Sequence, residues 1–180
     1  LNNQDAVIGM INAPANPVAT IANFNGRVTV GGNNQNGLFG STLSGNGRLT
    51  KIGFGQLILT ANNSHNGGTV VSNGTVIAVG NLSGYGPVVV KPAGTLVSGA
   101  TINGPVSVES AGTLLPGTTA NASAALGTLT IANNLSLDSA NLVYDLTSQT
   151  FAGNGFNDLI TVSSNVNLTG TTRVRFSFGS

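Results

Sequence analysis

Apolar and polar residues alternate in short runs along most of the chain. Val28/Val30, Leu57/Leu59, Val88/Val90, Val106/Val108, Leu129/Ile131, Leu135/Leu137, Leu142/Tyr144/Leu146, Ile160/Val162, Val166/Leu168 and Val174/Phe176/Phe178 each repeat at every second position. Period two predicts β-strands with one buried face. Between the runs stand Asn-Gly pairs at 25–26, 36–37, 46–47, 66–67, 73–74, 103–104 and 154–155. Asn and Gly tolerate the positive φ that tight turns need. Gly or Pro interrupts nearly every window long enough for a helix, and even the uninterrupted stretch Thr128–Ala152 alternates with period two. The expectation is an all-β chain.

An internal repeat says how the strands are arranged. Gly86–Thr101 (GPVVVKPAGTLVSGAT) and Gly104–Thr119 (GPVSVESAGTLLPGTT) lie 18 residues apart and agree at ten of sixteen positions. A Gly-Thr-apolar element begins at Gly74, Gly94, Gly112 and Gly127. A unit this short cannot bury its own apolar face, so it must stack on its neighbours. The pattern predicts a parallel β-helix of about eight to ten coils, each of about 18–22 residues, forming a rod about 40–45 Å long. The repeat register sets Lys91 above Glu109 on the next coil, as an inter-coil ion pair or as two solvated charges.

Composition fits stacking. Only 6% of the 180 residues are charged, and Gly (26), Asn (24), Thr (20) and Ser (16) fill that deficit. Charged ladders would repel, whereas Asn can form hydrogen-bonded ladders and Gly fits close corners. Without Cys there is no disulfide, thiolate metal site or cysteine nucleophile. A net charge of +1 with no basic cluster argues against nucleic acid as a partner. The longest apolar run, Val76–Val79, is far too short to span a membrane as a helix. The abrupt start at Leu1, without Met or a leader-like segment, reads as a mature product or a piece of a longer chain.

The segment Gly47–Val76 (GRLTKIGFGQLILTANNSHNGGTVVSNGTV) resembles the passenger-associated repeat of bacterial autotransporters. Gly47, Leu49, Thr50, Lys51, Gly53, Gly55, Leu57, Leu59, Gly67, Gly68, Thr69, Val71, Gly74 and Thr75 fall on its pattern. The usual Tyr before Gly-Gly is replaced by the stretch Ser64-His65-Asn66. Leu115-Pro116-Gly117, Gly127–Leu137 and Asn157–Gly170 resemble later parts of such passengers. The resemblance implies a right-handed parallel β-helix passenger, secreted or displayed at the surface of a Gram-negative-type bacterium. It also implies a repeat that supports secretion as a stalk. The chain then divides into 1–23 (linker, cap or irregular coil), 24–125 (β-helix repeats) and 126–180 (C-terminal coils resembling the pre-barrel region).

Candidate chemistry is sparse. The acids are Asp5, Glu109, Asp138, Asp145 and Asp158, and a 20-residue spacing makes Asp138 and Asp158 the nearest to a stacked pair. They lack the third acid or nearby base that a polysaccharide lyase would use. His65, alone in an Asn/Ser/Gly loop, reads as a solvated residue, and one His without Cys makes no zinc site. Gly153–Asp158 faintly matches a Ca²⁺-binding nonapeptide and reads better as a turn. Arg173 and Arg175 read as the wet face of a strand. The expectation is a non-enzyme with no catalytic or metal residues and no cofactor. Its partners would be a second copy stacking end to end, through Thr172–Phe178 and residues 5–11, or surface glycans. Phe24, Phe39, Phe54, Tyr85 and Phe156, beside Gly- or Asn-rich turns, are read equally as stacking platforms for a sugar or as corner residues of the core.

Overall fold

The computed structural model describes residues 5–9, 24–119, 126–148 and 157–178. Much of 1–23, and Gly153–Phe156 of the nonapeptide-like segment, lie outside the described residues. The strands in chain order are β1 (Ala6–Ile8), β2 (Arg27–Val30), β3 (Gly37–Phe39), β4 (Arg48–Lys51), β5 (Gln56–Leu59), β6 (Thr69–Ala78), β7 (Val88–Ser98) and β8 (Thr101–Ile102), followed by β9 (Val106–Val108), β10 (Thr113–Pro116), β11 (Thr128–Ile131), β12 (Leu135–Asp138), β13 (Asn141–Leu146), β14 (Leu159–Val162), β15 (Val166–Thr169) and β16 (Arg173–Phe178).

Every strand pairing is parallel, and the strands stack as three walls. β1, β2, β4, the first part of β6, the first part of β7, β9, β12 and β15 form the first wall. β3, β5, the later parts of β6 and β7, β10, β13 and β16 form the second. β8, β11 and β14 form the third, which single bridges extend through Leu82 to Asn63. The fold is a parallel β-helix. Eight stacked levels on the first wall extend about 35 Å at the usual strand spacing.

Alternation explains the walls. Val28, Leu49, Thr69, Val88, Val106 and Leu135 are one inward ladder, all buried. Leu57, Val76, Leu96, Leu114 and Leu142 form the matching ladder on the second wall. One apolar cluster runs from Phe24 to Leu142. The ladders continue into β15 and β16, but Leu168, Phe176 and Phe178 there are 64%, 57% and 73% exposed. The described coils leave that end of the core uncovered.

Coil length departs from the sequence expectation. Ala6 pairs Val28, 22 positions on, and the offset shortens to 18 at Val88 and Val106. It then widens to 29 between Val106 and Leu135, and to 31 between Leu135 and Val166. The extra residues fall between β10 and β11 and between β13 and β14 in the sequence. Lengthening a surface connection costs little, so strand register survives while the coil grows. The same change removes Gly127 from the expected series. Thr75, Thr95 and Thr113 stack on the second wall, whereas Thr128 pairs Leu159 on the third.

Asn supports the stack differently from a ladder of side chains. Asn34 Oδ1 accepts from the Phe54 N–H at 3.0 Å, Asn36 from Gln56 at 2.8 Å, Asn62 from Asn81 at 2.9 Å and Asn81 from Thr101 at 2.9 Å. These amides satisfy corner N–H groups one coil later, where no strand neighbour exists to do so.

Candidate functional site

Among the described residues, one inward position of the first wall holds a charged side chain. Lys51 stacks between Val30 and Val71 and is completely buried. Its ammonium donates to the carbonyls of Ile52 (2.6 Å), Gly53 (2.8 Å) and Asn73 (3.4 Å). Ile52 and Gly53 lie in the turn after β4, and Asn73 lies one coil later, at the register irregularity inside β6. The donors match the acceptors in number. Burial pushes the Lys51 ammonium below its ordinary pKa. Two glycines make room. Gly53 has φ +70°, and a Cβ there would strike the Gly31 carbonyl one coil earlier. Gly31 has φ +95°, and a Cβ there would crowd Nζ itself.

The other singled-out glycines gather at two stacked corners. Gly47 and Gly67 stand before the first wall, where a Cβ would strike the Phe24 ring or the Gly47 backbone. Gly68, at the same corner, lies against Pro87. Gly55, Gly74, Gly94 and Gly112 stand before the second wall, each against a carbonyl of the neighbouring coil or turn. Gly127 approaches the Gly117 backbone.

Residues 49–78 match the passenger-associated-transport-repeat. A search of curated proteins gives no match. The passenger-associated-transport-repeat spans nearly all of β4, the whole of β5 and β6, Lys51 with its three carbonyl acceptors, and Gly53, Gly55, Gly67, Gly68 and Gly74 of the corners. Its match begins and ends two residues after the segment 47–76 singled out in the sequence. It is a repeat of autotransporter passengers and is not a known catalytic family.

His65, within the same repeat, is not a solvated loop residue. It is 4% exposed, its Nε2 lies 2.9 Å from Thr69 Oγ1, and its ring centroid is 5.7 Å from that of Phe24. Burial pushes its pKa down to about 4, partly offset by the Gly68 backbone. Of the aromatic residues read either as sugar platforms or as core corners, Phe24 and Phe39 are core residues. Phe54 and Tyr85 are exposed, at 77% and 74%, and Phe156 lies outside the described residues.

The acids also group differently from the sequence expectation. Asp138 stacks on Thr169 in the first wall, away from Asp158. Asp158 instead meets Asp145. Its Oδ2 accepts from the Asp145 N–H and its Oδ1 from the Gly127 N–H, both at 2.8 Å. The Asp158 N–H donates to the Asp145 carbonyl at 2.9 Å, beside an antiparallel bridge between Leu146 and Asn157. Asp158 therefore ties Asn157 and itself back onto β13 and spends both carboxylate oxygens on backbone. Asp145 is 3% exposed, and neither of its oxygens has a partner of hydrogen-bond geometry. Burial, reinforced by the Asp158 charge, pushes its pKa up to about 6, and the Ser177 hydroxyl opposite offsets only part of this. Burial likewise raises the Asp158 pKa, against the two backbone donors. Among the described residues no three His, Cys, Asp or Glu side chains converge as a metal site.

Lys91 Nζ lies 2.5 Å from Glu109 Oε1 across adjacent coils of the first wall. Both side chains are more than a third exposed, so water screens the pair. A double-mutant cycle with Lys91→Met and Glu109→Gln is expected to give a coupling of about 0.2–1 kcal/mol that fades at high salt. A coupling that persists undiminished in 1 M salt would contradict that picture.

Proposed function

We propose that this chain is a non-catalytic, extracellular structural segment, a rigid β-helical stalk or passenger displayed or secreted at a bacterial surface. The observation that carries the reading is the passenger-associated-transport-repeat at 49–78, set within coils that share one uninterrupted core. Parallel strands in every level resist bending, and a polar, sparsely charged outside keeps the rod hydrated. In this reading 24–125 are the β-helix repeats and 126–180 the C-terminal coils of one passenger segment. No helix among the described residues is long and apolar enough to cross a membrane.

A second reading has one specific observation behind it. The exposed inward residues of β15 and β16, at the unpaired edge of the last described coil, favour end-to-end stacking of a second copy. Small-angle scattering of the purified chain over a concentration series tests both readings. A stalk gives an elongated monomer of constant length, whereas stacking gives particles that lengthen in whole-protomer steps. A near-spherical particle at all concentrations would sink both. For the export role, the chain is placed between a signal peptide and an autotransporter barrel. The expected result is digestion of the segment by protease added outside intact cells, and protection at full expression would overturn that role.

A further inference from the structure

The outer face of the first wall carries an arrangement that stacking does not need. Arg27 and Arg48 are register partners on β2 and β4, and both point outward beside buried Val28 and Leu49. They hold two of only six Lys and Arg in the chain on neighbouring strands about 4.8 Å apart. Like charges set directly opposite each other destabilise a sheet. Among the described residues the only ion pair is Lys91–Glu109, so no carboxylate there bridges the two guanidinium groups. The Arg48 Nε donates only a long 3.4 Å bond to the Gly67 carbonyl. Asp5 lies beside the pair, but its Oδ1 accepts the backbone N–H of Arg27.

The two arginines open onto a groove of about 320 Å³ that crosses β2, β4, β6 and β7. Lys91 stands at its far side, Thr50 supplies a hydroxyl-bearing floor, and Val70 and Val89 supply apolar surface. The groove therefore runs over three strand spacings, about 14 Å along the stacking axis, with the two arginines at one end and Lys91, held by Glu109, at the other. That span suits a polymer with recurrent anionic groups better than a single small anion. The lining has no aromatic side chain on which a base could stack, which disfavours single-stranded nucleic acid. Sugar rings offer C–H faces to the valines, while their carboxylate or sulfate groups meet the planar, bidentate guanidinium groups.

We propose that the groove bounded by Arg27, Arg48 and Lys91 binds a linear acidic polysaccharide, lying along the helix axis with its anionic groups on the two arginines. The site is independent of the stalk reading and uses none of the aromatic residues singled out in the sequence. The test is a binding titration of the 180-residue chain with polygalacturonate (carboxylate) and with heparin (sulfate), with neutral dextran and single-stranded DNA alongside. The expected result is salt-sensitive binding to at least one acidic glycan, with the two arms distinguishing carboxylate from sulfate. The double variant Arg27→Gln/Arg48→Gln should weaken binding about tenfold or more. The charge-matched variant Arg173→Gln/Arg175→Gln, on exposed β16, should leave it unchanged. The proposal is overturned by no binding to either acidic glycan, by equal binding to dextran or DNA, or by equal losses in the two double variants. Unchanged thermal melting of both variants separates lost binding from lost fold.

Discussion

Replacing Lys51 by Met is expected to destabilise the fold by about 2–4 kcal/mol, although Met continues the apolar ladder of Val30 and Val71 more faithfully than Lys does. Two effects oppose each other. Removing a buried ammonium relieves a desolvation penalty, which is why replacing buried charges with apolar residues sometimes stabilises proteins. Here, however, the substitution leaves the carbonyls of Ile52, Gly53 and Asn73 without their donor. Each orphaned acceptor in this half-buried cage costs up to about 1–3 kcal/mol, and three of them outweigh the relief. Urea denaturation of the variant reads the difference. A variant as stable as the parent would mean that the turns satisfy their carbonyls another way.

The second large effect concerns pH, and its sign is opposite at two places in the molecule. The Asp145 pKa rises from an ordinary 3.8 to about 6 on folding. Between those values the native chain holds a proton that the unfolded chain has lost, so this site loses stability as pH rises through about 4 to 6. A shift of that size corresponds to about 3 kcal/mol at neutral pH, as an upper limit. Asp158 moves in the same direction. His65 falls from 6.5 to about 4, so there the unfolded chain binds the extra proton and stability is lost as pH drops through that window. Acidification should tighten β13 and β16 while loosening the coils around β4 and β6. Asp145→Asn is expected to raise stability at pH 7.5 and to leave a profile that climbs with pH. His65→Phe should leave one that declines. Urea midpoints from pH 4.5 to 7.5 measure both, and two variants with the same profile would refute the opposed linkages.

Much of this architecture is legible in the sequence because stacking writes itself as periodicity. The 18-residue offset between Gly86 and Gly104 is the register offset between Val88 and Val106. The inward position of Lys51 is legible as well. Alternation puts Arg48 and Thr50 outside and Leu49 and Lys51 inside, and only the habit of placing charge in water obscures it. The contact between Asp145 and Asp158 had no such signal. It accompanies an antiparallel bridge between Leu146 and Asn157, outside the parallel coil register, so no repeat position relates the two acids. His65 was misplaced because its neighbours in sequence are polar, while its neighbours in space are Phe24 from two coils earlier and Thr69.

The parallel register has a further consequence for how such a chain reaches its folded state. Partners along the walls are never more than 32 residues apart, the separation of Leu142 and Val174. Each new coil closes one short loop onto a surface already formed, so the entropic penalty is met in small instalments and contact order stays low for an all-β molecule. Growth can therefore keep pace with a polypeptide that emerges a few tens of residues at a time from either direction, since each coil requires only the one before it.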